Sequence, residues 1–329
     1  MARVQRRVTI KRDVCAWVLA GLLLASPCTA RAEDVASTPF VGVRVIVRSL
    51  AGPPRETIHI AEIDLKEPNL RFVTTEGNGD KPRETNTEST LEFVKRKQAQ
   101  LGINANFFIL DHKPDTDVRG LAVSNGQIVS PWEDHEAALN ISAKNEARII
   151  HRATEDFKGT ATEPKVDLYN AVCGGKMLVE DGENVATESG KSGGERHPRT
   201  CVGLKPGNIM LWVIVDGRHP DHSEGMNYGE LADLMLSLGA RDAMELDGGG
   251  SATFVVANPS PTVLNVPMTT AVPAGIKIPP PGIQRRNGNN LALYALSPTG
   301  DTDGDGKLDI AEGMGDTDGD GLMDYLDAK

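Results

Sequence analysis

Two segments of this 329-residue chain set a carboxylate beside glycine at the end of an apolar run. The run Ile209–Val215 ends in Asp216-Gly217-Arg218, and residues 243–246 lead into Asp247-Gly248-Gly249-Gly250-Ser251. Glycine at such a place lets a ligand approach the backbone. Three in succession also bare N–H groups that suit an anionic oxygen. Taken alone, the second segment is equally what a tight turn requires. Arg199-Thr200 places a two-pronged anion donor ahead of another apolar stretch, although a lone arginine there also fits plain surface. Glu230 follows Asn227 by three residues, the spacing of a capping box, so it serves either chemistry or only its helix. His219, Asp221 and His222 have metal-binding side chains, but no second spaced cluster completes a four-ligand set and Pro220 marks a loop.

A different chemistry is written at the C-terminus. Asp301, Asp303, Asp305, Gly306, Asp309 and Glu312 fit the calcium loop D-x-D-x-D-G-x5-E, with Lys307 offering its carbonyl. Asp316, Asp318, Asp320, Gly321, Asp324 and Asp327 repeat the pattern, with Leu322 at the carbonyl position and Asp327 in place of the longer glutamate. The flanking helices of an EF-hand are missing. The tandem pair resembles the calcium-binding repeats of thrombospondin type 3. Calcium is therefore the expected cofactor, structural in role, and no organic cofactor is called for. The tail is expected to serve surface or envelope attachment, or stability, and not chemistry.

The elements that must position these residues follow from periodicity. Val43, Val45 and Val47, then Ile58, Ile60, Ile63 and Leu65, alternate as strands around a turn at Gly52-Pro53-Pro54. Residues 87–99 read as a helix, and Asn125-Gly126 as a hairpin turn. Residues 138–150 read as strand. The Asn227 cap opens a second helix whose apolar face is Leu231, Leu234, Met235 and Leu238, closed by Gly239. Residues 259–281 are Pro-rich and irregular, and 290–296 form a last strand. Strands outnumber helices without βαβ alternation. The fold class is α+β, an extended twisted mixed β-sheet with packed helices plus a short calcium-loop tail.

The ends differ in charge. The net charge of −11 argues against a nucleic-acid partner. Residues 1–32 carry six basic side chains and one acidic, whereas 297–329 carry ten acidic and two basic. Behind the N-terminal arginines lies an apolar run of twelve residues, 14–25, too short for the roughly 20 that span a bilayer. Ala30-Arg31-Ala32 supplies a peptidase site. This reads as a signal peptide cleaved after Ala32, with a secreted or periplasmic product and no transmembrane segment in the mature chain. Arg6-Arg7 admits twin-arginine export, with the general secretory route preferred; Pro27 before Cys28 fits a lipoprotein box poorly. Three parts result: 1–32, 33–296 and 297–329. After cleavage two cysteines remain, Cys173 and Cys201, and an oxidising compartment makes a disulfide the first expectation.

Together the central segments resemble the phosphodiester glycosidase family. The resemblance rests on INANFF (103–108), RTCVGL (199–204), WVIVDGR (212–218), SEGMNYGELADLMLSLGARDAMELDGGGSA (223–252) and RRNGNNLAL (285–293). It implies an exported hydrolase cleaving a sugar 1-phosphodiester, with a carbohydrate or sugar-phosphate substrate and a part in exopolysaccharide or envelope-glycan turnover. It implies Asp247, Asp216 and Glu230 as catalytic candidates. It further implies Arg199, Thr200, Arg218, Asn104, Asn106, Ser223, Gly248, Gly249 and Ser251 as substrate or phosphate contacts. Ala105 and Asn106 replace glycines of the family pattern. A phosphomonoester is already a good leaving group, so the chemistry needs a carboxylate near the anomeric carbon and donors that hold the phosphate. The alternative is a non-catalytic, calcium-dependent carbohydrate-binding or cell-surface protein on the same fold.

Overall fold

The computed structural model describes residues 32–133, 135–153, 158–186, 194–270 and 280–328. The expected signal peptide, with Arg6-Arg7 and Cys28, lies outside the described residues apart from Ala32.

The structure is α+β. Its strands fall into three larger antiparallel sheets where the sequence suggested one extended sheet. The largest has eight strands in the order Ala32–Phe40, Val43–Leu50, Glu56–Asp64, Ile209–Val215, Arg199–Lys205, Asp242–Glu245, Met177–Glu180 and Glu183–Asn184. The five-stranded sheet runs Pro261–Val263, Phe254–Ala257, Leu101–Asn104, Asn290–Ala295 and Leu70–Thr74. A six-stranded sheet contains Ala137–Ile141, Ala147–Arg152 and Asn170–Gly174, among others. The stretch read as one strand at 138–150 is thus a hairpin. Asn145 adopts a left-handed conformation (φ 62°) that its short polar side chain tolerates, and the turn reverses there.

Side chains from all three sheets share one core. Ile63, Trp212 and Met244 meet Leu101, Ile103 and Leu291, together with Leu139 and Val172. Helix α1 (Thr90–Lys97) starts at a Ser89–Glu92 capping box and lies against the Leu101–Asn104 strand. That approach needs Gly102, where a Cβ would come within 2.3 Å of Val94 Cγ2. Helix α2 (Tyr228–Ser237) starts at the Asn227–Glu230 capping box and buries Leu231, Ala232 and Met235 against Ile58, Leu211 and Val213. Full burial of a leucine such as Leu231 stabilises by about 2 kcal/mol.

One expectation is corrected. Cys173 and Cys201 form no disulfide. Cys173 lies in the six-stranded sheet with Leu121 and Trp132, its Sγ directed to the Ala137 carbonyl at 3.1 Å. Cys201 lies in the eight-stranded sheet, with its Sγ 3.5 Å from Met235 Sδ. Different sheets place the two thiols in different apolar clusters. At the C-terminus, Tyr325 and Leu326 pack with Leu296, and Tyr325 is fully buried.

Candidate active site

The Asp247 turn is the crossing between two sheets. The Asp242–Glu245 strand pairs with Arg199–Lys205, Cys201 facing Glu245. The chain then leaves that sheet: the Asp247 N–H donates to the Ala105 carbonyl at 2.9 Å. After a 3-10 turn at Gly249–Ser251 it enters the Phe254–Ala257 strand, paired with Leu101–Asn104. A carboxylate at such a crossing is anchored by both sheets.

The three glycines here seat neighbours more than they bare amides. The Gly249 N–H is taken by the Pro198 carbonyl at 2.8 Å, and the Gly248 N–H assists the Asp247 carboxylate. Gly249 has φ +59°, and a Cβ there would stand 3.1 Å from both Arg218 terminal nitrogens. At Gly250 a Cβ would come within 2.6 Å of Arg285 Nη2 and 2.4 Å of Thr269 Oγ1. Two arginines therefore close on the turn.

Arg218 and Arg285 are partly buried, and among the described residues neither makes an ion pair. Burial lowers the Arg218 pKa, and the Arg285 and Arg199 charges lower it further. Burial likewise lowers that of Arg285. Mutually repelling guanidiniums at a partly open turn favour a bound anion. Arg285 Nη1 donates to Ser251 Oγ at 3.2 Å. Asp247 is buried, which pushes its carboxyl up to about 7. The Ser251 hydroxyl and Arg285 pull against that rise, while Glu245 adds to it.

Several residues expected to touch substrate are buried and bonded to other parts of the fold. Arg199 is 3% exposed and pairs with Glu245 (Nη1 to Oε1, 2.8 Å). Its Nε donates to the Met226 carbonyl at 2.8 Å, and it lies over the Tyr228 ring. Buried and bonded in this way, it ties the Arg199–Lys205 strand to Glu245 beside the Asp247 turn. Asn104 donates to the Asp247 carbonyl and accepts from Thr200 Oγ1 (2.8 Å) and the Thr253 N–H (3.1 Å). Asn106 donates towards the carbonyls of residues 119–121 and accepts from the Cys173 N–H. Ser223 binds the Asp216 carbonyl and Glu56. All four of Asn104, Asn106, Thr200 and Ser223 are buried.

Asp216 is likewise buried. Its Oδ2 meets His222 Nε2 at 2.8 Å and His59 Nε2 at 3.2 Å, and its Oδ1 accepts from Asn265 Nδ2 and the Val266 N–H. Burial alone would raise its carboxyl; the hydrogen bonds from His222, His59 and Val266 outweigh it and hold the group below the usual carboxylate range. Glu230 is a helix cap, with Oε2 accepting from the Asn227 N–H and Oε1 paired with Arg196.

Three participants escaped sequence reasoning. Arg285 stands in the RRNGNN block but arrives from a distant loop. His197 Nδ1 lies 3.4 Å from Arg218 Nε. Glu245 did leave a signal: it precedes Asp247 by two residues, the spacing that brings strand side chains to one face. Its Oε2 is buried without a hydrogen-bond partner.

Among the described residues, only two groups bring three or more metal-type ligands together, Asp301/Asp303/Asp305 and Asp316/Asp318/Asp320. Either could hold a divalent ion. Asp309 and Asp324 do not join them. Asp309 accepts from Ser297 and Thr302, and Asp324 from Thr317.

A family model described as phosphodiester glycosidase matches residues 97–290, more than half of the chain. The chain belongs to this family. As a phosphodiester glycosidase family member it shares its fold with solved structures. The catalytic domain of zebrafish N-acetylglucosamine-1-phosphodiester alpha-N-acetylglucosaminidase, auto-inhibited by its pro-peptide, aligns with TM-score 0.54 and 18% identity over 80% of this chain and 88% of that one. A hypothetical protein from Synechocystis aligns with TM-score 0.55 and 13% identity, over 82% and 69%. The SPbeta prophage-derived uncharacterized protein YomE of Bacillus subtilis (strain 168) is 27% identical over 178 residues, 52% of this chain. The match spans 26% of that relative's length.

Proposed function

We propose that this chain is an exported glycosidase that hydrolyses a sugar 1-phosphodiester in exopolysaccharide or envelope-glycan turnover. Family membership supports a hydrolytic activity. The observation that carries the specific reading is the convergence of Arg218 and Arg285 on the Asp247 turn, two cations without carboxylate partners beside one carboxylate. That combination suits a phosphodiester whose phosphate the arginines grip in bidentate fashion while Asp247 faces the anomeric carbon.

In this reading ionised Asp247 acts as base towards water or as nucleophile, and C1–O cleavage releases a phosphomonoester that leaves without strong protonation. Glu245, held by Arg199, is a positioning residue whose charge tunes Asp247. A buried carboxyl pushed up to about 7 beside two arginines supports the hydrolytic reading over simple binding. The test is release of reducing sugar and phosphomonoester from a panel of sugar 1-phosphodiesters. Stoichiometric release supports the reading; saturable binding without turnover would instead give the calcium-dependent carbohydrate-binding alternative.

We also propose a mature chain of residues 33–296 as glycosidase domain and 297–329 as calcium-binding loops. Calcium is the hard cation that all-oxygen, aspartate-rich sets favour. Asp301, Asp303, Asp305 and Glu312 would hold one ion, and Asp316, Asp318 and Asp320, with Asp327, the other. The loop carbonyls of Lys307 and Leu322 complete the expected set.

A further inference from the structure

We propose that calcium binding in the C-terminal loops is coupled to the strand that supports the candidate active site, through Tyr325 and Gln100. The proposal rests on the calcium reading above and is independent of the glycosidase reading.

The first loop presents more than an acidic cluster. The Glu312 side chain is 5% exposed, and its Oε2, like Asp303 Oδ2, is buried without a hydrogen-bond partner. Lys307 reaches Asp305 at 2.7 Å and Glu312 at 3.8 Å, a single charge against four carboxylates. Orphaned oxygens in such a cluster call for a cation.

The second loop leads to the contact that matters. Asp324 closes it by accepting from the Thr317 N–H (2.7 Å) and Oγ1 (2.9 Å), while its own N–H bonds the Gly315 carbonyl. The next residue, Tyr325, is fully buried with Leu296 and Leu326, and its hydroxyl donates to Gln100 Oε1 at 2.9 Å. That oxygen also accepts from the Ala295 N–H at 3.1 Å. The Gln100 backbone bonds Leu293 and Ala257, and the Leu101–Asn104 strand begins at the next residue. At the far end of this strand Asn104 holds the Asp247 carbonyl. Closed loops, a seated Tyr325 and a fixed strand thus favour one another. Without a cation the crowded aspartates repel and the loops lose their closed form. By linkage, seating Tyr325 must strengthen calcium binding by the same factor that calcium strengthens the seat.

The experiment uses the full chain with calcium chloride or with chelator, and reads calcium binding by calorimetry, thermal unfolding, and hydrogen exchange at residues 98–104. Calcium should bind at about 10⁻⁴–10⁻³ M. At a hundredfold excess over Kd it should raise Tm by roughly 5 °C or more and slow exchange across 98–104 about tenfold. Tyr325→Phe, which keeps the ring and loses only the hydroxyl, should shrink both effects and weaken calcium binding several-fold. If calcium binds yet Tm and exchange stay put, the coupling is wrong while the calcium site stands. An absence of binding overturns both. A Tyr325→Phe chain that responds as fully as the wild type refutes the route through Gln100.

Discussion

Arg199 and Glu245 form a buried ion pair, 2.8 Å from Nη1 to Oε1, on adjacent strands that meet at the Asp247 turn. Removing one partner strands a charge where water cannot reach it. Arg199→Met should therefore cost about 3–5 kcal/mol in urea unfolding, whereas the double change Arg199→Met, Glu245→Met should recover most of that loss. Equal destabilisation in the single and double variants would mean that the pair is not the source.

The Asp247 carboxyl gives activity and stability opposite pH trends. Its folded pKa, about 7, lies above the unfolded value. The protonated form is thus favoured by folding, and this contribution is complete below about pH 4 and lost as pH rises through 7. Relative to Asp247→Asn, the wild type should lose up to about 4 kcal/mol between pH 4 and 8. Turnover, which needs the ionised form, should rise over the upper part of that range. Parallel stability curves for the two proteins would remove the buried-carboxylate account.

Arg218 and Arg285 should act on the phosphate and not on the sugar. Arg218→Lys and Arg285→Lys should each lower kcat/KM for a sugar 1-phosphodiester by roughly 10–100-fold, because lysine lacks the bidentate fork. A phosphate-free aryl glycoside of the same sugar should be almost unaffected. Similar losses on both substrates would assign the arginines to the fold.

Gly250 is set close to Arg285 and Thr269. Gly250→Ala should displace the flexible Arg285 tip, which stands 2.6 Å from the added Cβ, at a stability cost of about 1–3 kcal/mol. Phosphodiester turnover should fall at least tenfold. Full activity in the alanine variant would show that Arg285 need not sit against the turn.

What was legible in the sequence was local. The apolar run Ile209–Val215, the Asn125-Gly126 turn and the Asn227–Glu230 capping box specify their own conformations over a few residues, and each stands in the structure. What was illegible depended on which sheet a strand joins. Cys173 and Cys201 looked like partners because nothing in their spacing shows that they enter different sheets. Arg199 looked like an anion donor because its motif does not reveal that Glu245, on the next strand, already holds it. The bonds of Asp216 to His222 and of Asn104 to the Asp247 carbonyl likewise appear only once the sheets are assembled. Arg285 was overlooked for the converse reason, since only the folded chain brings it to Gly250.

The central claim is that Asp247 performs the chemistry at an arginine-lined turn. The most direct measurement is the rate of reducing-sugar release from a sugar 1-phosphodiester by the wild type and by Asp247→Asn. The account predicts turnover by the wild type and a loss of about 10³-fold or more in the variant, with an unchanged circular dichroism spectrum. A variant that hydrolyses the same substrate at near wild-type rate would contradict it.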